Sequence, residues 1–295
     1  MRISIAPIPY FWDLETVRQF YKNVEQLPVD IVYLGETVCG KRRKVRLDDW
    51  LEIARGLENA GKEVVLSTLA LLEADSELAG LQRITGNGRY AVEANDVAAI
   101  QLLQENVPFV IGPHINIYND KALSFLHQLG ASRWIIPIEL QQDTLADILR
   151  KRPPQMETEI IGYGRLALAF SARCFSARAC NLAKDDCGFE CGRHDDGMLL
   201  ETRDEQPLLV INGIQLQSAK AQNLINQVDD LDASGIDVFR IIPWQQEIET
   251  AVVLIRQVLD GLLAPDSTAE KLGLLQPYGQ CNGYYHGREG MGWLV

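Results

Sequence analysis

Residues 109–139, FVIGPHINIYNDKALSFLHQLGASRWIIPIE, contain one complete structural unit of the chain. FVIGPHI (109–115) reads as a strand, residues 120–129 as a helix, and RWIIPIE (133–139) as the next strand. Neither strand alternates apolar with polar side chains. Both are apolar through their length, as expected where helices cover both faces of a parallel sheet.

The same unit recurs outward in both directions. Upstream, strands are expected at 3–9, 30–36, 63–71 and 91–94, each followed by a helix, at 14–27, 47–60, 76–84 and 96–105. Downstream come a helix at 141–151 and a seventh strand at 156–164. PLLVING (207–213) reads as a strand of an inserted excursion. A helix over 220–231 then leads to the eighth strand, DVFRIIPW (237–244), and a closing helix at 246–263. Eight such repeats predict an α/β fold, a (β/α)₈ TIM-like barrel. The rival, an open doubly wound sheet, lacks a glycine-rich dinucleotide fingerprint after any strand. The expected organisation is one barrel over 1–263 with a cysteine-rich insertion at 171–213, and a C-terminal extension at 264–295 packing on the barrel.

Composition narrows the function. With 47% hydrophobic and 23% charged residues the 295-residue chain can build a large core. A net charge of −12 argues against a general nucleic-acid binder, which needs a basic surface. The basic run Lys41-Arg42-Arg43-Lys44 with Arg46 reads as a solvated loop. No secretory signal opens the sequence, and no apolar run approaches the ~18 residues of a membrane span. A soluble, cytoplasmic protein is the expectation, so six cysteines point to metal binding or catalysis rather than disulfides.

Four of the six, Cys174, Cys180, Cys187 and Cys191, fall in SARCFSARACNLAKDDCGFECGRH (171–194), a stretch with no apolar period. Cys39 follows the second strand and Cys281 lies near the C-terminus. In a barrel, the loops after strands two and seven open at the same end, where the chemistry of this fold collects, so Cys39 can meet the dense stretch. The spacing C-x5-C-x6-C-x3-C lacks the tight C-x2-C turns of structural zinc sites. It favours an iron–sulfur cluster over zinc and leaves unliganded thiols open. Elsewhere, Glu36, Glu93, His114, Asn116, Glu139, Tyr163 and Arg240 fall at or near strand ends. For each alone a structural hydrogen-bonding role is favoured over acid–base work. Arg173, Arg178 and Arg193 interleave with the cysteines and read by default as solvated. Ser171 and Ser176 sit in no nucleophile elbow, His114 and His194 are far apart in sequence, and no H-E-x-x-H helix is present.

The segment EIIGYGRLALAFSARCFSA (159–177) resembles the signature of the collagenase-like peptidase family of unknown catalytic type. Glu159, Ile161, Gly164, Leu166 and Cys174 match or nearly match it, whereas Ala167 stands where the family has its first cysteine and Ala172 where it has its second glycine. Tyr163 replaces a histidine common among relatives. The resemblance extends to YLGETVCGKRR (33–43), VVLSTLALLEADSEL (64–78), KDDC (184–187), NGIQ (212–215) and CNGY (281–284). It is to the branch of the family that serves oxygen-independent ubiquinone biosynthesis. That resemblance implies a 4Fe–4S cluster on Cys39, which replaces the missing first cysteine, and on Cys174, Cys187 and Cys191. Cys180 would be a spare or substitute thiol and Cys281 a packed side chain. It also implies a heterodimer with a UbiU paralogue, a ubiquinone precursor as substrate and prephenate as oxygen donor. The catalytic residues are unknown, and peptidase activity has no residue support. Rival expectations are a non-catalytic partner docking UbiU through loop 41–46, an RNA-hydroxylating relative, and a true peptidase.

Overall fold

The computed structural model describes residues 1–104 and 108–294. Eight parallel strands form a closed barrel: β1 (Arg2–Ile5), β2 (Ile31–Leu34), β3 (Glu63–Ser67), β4 (Ala91–Ala94), β5 (Phe109–Ile111), β6 (Ala131–Ile135), β7 (Glu157–Phe170) and, after an excursion, β11 (Val238–Ile241). Closure is explicit in the register. Ile5 pairs with Val32 on one side and Ile241 on the other, and Val238 pairs with Glu159. Helices α1 (Leu14–Val24), α2 (Leu47–Asn59), α3 (Asp75–Thr85), α4 (Val97–Leu103), α5 (Asp120–Gln128) and α6 (Gln142–Leu149) follow the first six strands. Position 105, the expected end of α4, lies outside the described residues. Helix α1 shows why these segments form: Val17, Phe20, Tyr21 and Val24 share one buried face, and the Asp13 carboxylate caps its start by accepting from the Thr16 amide at 2.8 Å. Among the described residues no helix is long and apolar enough to cross a membrane.

Most barrel strands are shorter than their apolar runs. Runs 63–71 and 109–115 stop laddering at Ser67 and Ile111, and 133–139 pairs over Ala131–Ile135. Beyond those points the apolar residues still pack; Ile115 and Ile136, for example, are buried in the core that strands and helices share. In the run 3–9, Pro7 and Pro9 have no amide proton to extend the ladder past Ile5.

Strand β7 does the opposite. It runs fourteen residues, leaves the barrel and becomes the spine of an antiparallel layer. That layer contains β8 (Met198–Glu201), β9 (Pro207–Asn212) and β10 (Gln215–Asn223), paired in the order β7-β10-β9-β8. The short helix α7 (Phe175–Ala179) precedes it. The expected helix over 220–231 is therefore wrong for its first half. Residues 215–223 are strand β10, and helix α8 occupies only Val228–Ala233. QLQSAKAQN has weak strand propensity, but pairing on both edges overrides it. Its polar side chains find partners: Asn223 Nδ2 donates to Gln280 Oε1 at 2.8 Å and Gln222 donates to the Ile161 carbonyl. After α9 (Ile248–Leu259), the C-terminal part adds α10 (Pro265–Leu274) and β12 (Gln280–Cys281), which pairs with β10. Tyr163 ties α10 to the barrel. Its hydroxyl donates to the Leu272 carbonyl at 2.6 Å and accepts from Gln276 Nε2 at 3.2 Å.

The barrel interior contains ions. Glu159 is fully buried and accepts from Ser4 Oγ (2.7 Å), Tyr33 Oη (2.5 Å) and Arg240 Nη1 (2.9 Å). The other terminal nitrogen of Arg240 donates to Glu93 at 2.8 Å, and its guanidinium lies 4.2 Å from the centre of the Tyr33 ring. Glu93 and Arg240, placed near the cleft by sequence, are thus partners inside the barrel. Below them Arg133 donates to the Tyr33 hydroxyl at 3.1 Å and reaches Glu157 and Glu63 at 2.7 and 2.8 Å. Removing one partner of such a buried set leaves an uncompensated charge, at a cost of about 3–5 kcal/mol. Glu159→Ala should therefore lower unfolding free energy by about that amount in urea titrations, with Glu159→Gln losing less. A loss within error of zero for Glu159→Ala would contradict this account.

Candidate metal centre

Two loops meet at the C-terminal rim of the barrel. The first begins at Gly35, where φ is +141° and a Cβ would lie 2.5 Å from the Ser67 carbonyl oxygen. Only glycine fits there, because strands β2 and β3 approach too closely for a side chain. Next comes Glu36, whose Oε1 accepts from the Val38 and Cys39 amides at 2.8 and 3.0 Å. These bonds fix the turn that presents Cys39. The Arg42 amide closes it by donating to the Cys39 carbonyl at 2.9 Å.

Arg42 departs from the expectation of a solvated basic loop. It is 4% exposed. Its Nη1 donates to the Pro9 carbonyl at 2.8 Å and lies 3.7 Å from Glu36 Oε1, while Nη2 donates to Asn212 Oδ1 at 2.7 Å. Asn212 Nδ2 donates to the same Pro9 carbonyl at 2.7 Å. Arg42 therefore bolts the Cys39 loop to the segment after β1 and to the β9–β10 hairpin. That hairpin turns at Gly213-Ile214, with glycine at the first central position of a two-residue turn. Gly213 has φ +65°, and a Cβ on it would lie 2.8 Å from Arg42 Nη2. Of the remaining basic residues, Lys41 donates to Asp185 Oδ1 (2.5 Å) and the Lys184 carbonyl (3.1 Å), and Lys44 lies over the Phe11 ring at 4.6 Å.

The second loop is the cysteine-rich stretch. Cys174 is buried at the start of α7, where its Sγ accepts from the Ala177 amide at 3.5 Å. It shares an apolar cluster with Val38, Ala177 and Ile214, against which Cys39, Cys187 and Phe170 pack. Cys191 lies near enough to Arg42 and Cys174 to feel both charges, and Cys187 and Cys39 both act electrostatically on Lys41. Lys184 secures the stretch by pairing with Glu73 and donating to the Ala172 carbonyl at 2.7 Å. Cys39, Cys174 and Cys187 thereby pack in one cluster, with Cys191 near Arg42 beside it. Cys180 is exposed at the end of α7, and Cys281 is fully buried elsewhere, 3.9 Å from the Lys220 carbonyl.

Burial pushes the Cys39 and Cys191 thiols up, against the lowering effect of the nearby Arg42 cation. Cys281, remote from this centre, is pushed by burial to about 12. The donor chemistry fits a thiolate-ligated group. It consists of four soft sulfurs, with Glu36 occupied by backbone amides and two cations, Arg42 and Lys41, placed to offset thiolate charge. Among the described residues, no three histidine, cysteine or carboxylate side chains converge as ligands of a single ion.

The other sequence candidates lie outside this centre or have structural partners. His114 packs edge-on against Phe170 at 4.7 Å, and burial, helped by Arg240, lowers it to about 4, so it is neutral at ordinary pH. Glu139 and Asn116 are exposed near Tyr118. Arg173 and Arg178 are exposed, and Arg193 pairs with Glu190 at 3.0 Å. Ser176 is buried and accepts from the Gly213 amide at 2.9 Å, while Ser171 accepts from the Arg173 amide at 3.1 Å. Neither is presented as a nucleophile. Sequence reasoning missed the roles of Arg42 and Asn212; the Asn-Gly dipeptide ending the apolar run of β9 was the available signal.

These features define a (β/α)₈ barrel whose rim gathers four thiols from two remote loops. The chain belongs to peptidase family U32, whose sequence model matches residues 13–294; the collagenase-like resemblance at 159–177 is borne out. It is similar to "tRNA hydroxylation protein P" of Haemophilus influenzae, at 34% identity over 87 residues, 28% of this chain and 19% of that protein. The Escherichia coli protein of that name is 31% identical over 97 residues, 32% of this chain and 21% of that protein. The chain thus spans about a fifth of the curated relatives it matches. A solved structure of the U32 peptidase Mk0906 superposes with a TM-score of 0.45 at 11% identity, covering 82% of this chain and 93% of that one.

The environments of the six thiols predict an order of reactivity. In native, metal-free protein, iodoacetamide labelling followed by peptide mass spectrometry should modify Cys180 first. Cys281 should react only on unfolding, because it is fully buried and its thiolate strongly disfavoured. Early labelling of Cys281 would show that the C-terminal part is packed differently.

Proposed function

We propose that this chain is a UbiV-type member of family U32 that carries a 4Fe–4S cluster on Cys39, Cys174, Cys187 and Cys191. In this reading it acts with a UbiU paralogue in the oxygen-independent hydroxylation of a ubiquinone precursor ring, with prephenate as the oxygen donor, in the cytoplasm. The observation that carries it is the meeting of these four thiols across about 150 residues of sequence, with Cys180 and Cys281 left aside. The hydroxylation named for the two curated relatives supports the reaction class. When bound, the cluster would supply one-electron chemistry. The chain's own residues give it a setting: Glu36 shapes the Cys39 turn, and Arg42 and Lys41 place positive charge beside the sulfurs. No residue is assigned as the catalyst.

A second reading, hydroxylation of a tRNA base, draws on the printed name of the same relatives. The net charge of −12 weighs against it, because polyanion binding needs basic surface. Docking of a partner through Arg42 is disfavoured, since that side chain is buried and engaged.

Anaerobic purification with iron and sulfide analysis tests the ligand set. The expected result is close to four irons and four sulfides per chain, with a broad absorption band near ~400 nm. Cys39→Ala, Cys174→Ala, Cys187→Ala and Cys191→Ala should each lose most of the iron, whereas Cys180→Ala and Cys281→Ala should keep it. Full cluster content in Cys39→Ala would overturn the assignment across the two loops. Quinone analysis of anaerobic cells lacking the chain separates the pathways. Normal ubiquinone together with a missing tRNA hydroxylation would favour the second reading.

A further inference from the structure

The chain holds a second concave site that the thiol centre does not use. Behind the C-terminal ends of β2 and β3, helices α2 and α3 stand apart and leave a cavity of about 660 Å³, the size of a small-molecule pocket. One wall is apolar, with Leu34, Leu66, Leu69 and Trp50 along it. At the mouth stand Arg43, Arg46 and Arg83, all exposed and none in an ion pair among the described residues. Of the acids lining the cavity, Glu36 and Glu77 are engaged with backbone amides, which leaves the single exposed carboxylate of Asp48 against three arginines. The mouth is therefore positive on a chain whose net charge is −12.

Two further observations point to a ligand. Ser67 is fully buried and lines the cavity, yet its hydroxyl has no hydrogen-bond partner, and Arg42 Nε lining the same cavity is also buried without one. Buried polar atoms normally have partners, so two unmet atoms in residues that line the cavity mark a region where a polar group would be satisfied. Gly80 is in the interior of α3, where glycine weakens a helix. A Cβ there would meet nothing within 4 Å, so protein packing gives no reason for glycine, whereas cavity space does.

We propose that this cavity binds a small carboxylate with an apolar ring or short aliphatic body. Its carboxylate would take charge-assisted hydrogen bonds from the arginines at the mouth, its body would lie along the leucine wall, and a polar substituent would reach Ser67. This goes beyond the reading of the thiol centre and does not depend on a cluster. The two sites share Glu36 and Arg42, so a bound molecule would lie next to the Cys39 loop.

Calorimetric titration of the full chain with 4-hydroxyphenylacetate, and with its neutral amide, is the test. The acid should bind at least tenfold more tightly than the amide. Arg43→Ala with Arg83→Ala should weaken the acid at least tenfold without changing the thermal midpoint, since both side chains are exposed. Gly80→Leu should abolish binding while leaving the chain as stable or more stable, which separates a filled cavity from a misfolded one. No heat from the acid, equal affinity for acid and amide, or undiminished binding by Gly80→Leu would each overturn the proposal. Iron content of the same variants keeps the two sites distinguishable: loss of acid binding with iron unchanged concerns the cavity alone.

Discussion

The buried ion set around Glu159 is the constraint on which the barrel depends. Eight short strands enclose a space that cannot be reached by water, and the side chains filling it include two carboxylates and an arginine. Arg240 comes from the last barrel strand, Glu159 from the seventh, Glu93 from the fourth and Ser4 from the first. Each hydrogen bond therefore crosses the barrel or its closing seam. Charges taken out of water are tolerated only when fully partnered, so this arrangement disfavours any register that slides a strand. The Tyr33 ring, stacked under Arg240 while its hydroxyl donates to Glu159, makes the set part of the apolar packing as well.

From this rigid base β7 reaches out of the barrel, and the thiol centre depends on that extension. The strand carries the chain from Glu159 inside the barrel to Phe170 against the cysteine cluster. Beyond it the cysteine stretch has little regular structure and is held by its ends and by ties: Lys184 to Glu73, Lys41 to Asp185, and Gly213 to Phe175 and Ser176. Arg42 is the tightest of these ties. Its donors reach the segment after β1 and the hairpin tip, and Glu36 lies 3.7 Å away, so three separate parts of the chain meet on one guanidinium. A lysine could not make these diverging contacts from one charged group.

Much of the barrel could be read in the sequence because its signal is repetitive. Segments such as EVVLS or FVI are apolar on both faces, and the helices between them carry their core residues at helical spacing. Residues 215–223 misled for a physical reason: QLQSAKAQN forms a strand only because β7 and β9 are there to pair with it. Glu93 and Arg240 were legible as functional types but not as partners, since nothing local tells that strands four and eight face each other across the lumen. The thiol centre was half legible. Barrel topology brings Cys39 and the dense stretch to one end, whereas the burial of Arg42 follows from a hairpin 170 residues later in the chain.

The separation of ions into two environments explains why an acidic protein can present positive charge where it does. Inside the barrel, the Glu93 and Glu159 carboxylates are paired with the Arg240 guanidinium. On the outer surface acids predominate, giving the net −12. Around the loop 35–46 cations concentrate: Lys41 and Arg42 lie beside the sulfurs, and Arg43 and Arg46 line the cavity between α2 and α3. One basic run thus serves two sides of a single loop. The segment that sequence suggests is an ordinary solvated turn is, in the folded chain, the boundary between a thiol-lined site and an arginine-rimmed one.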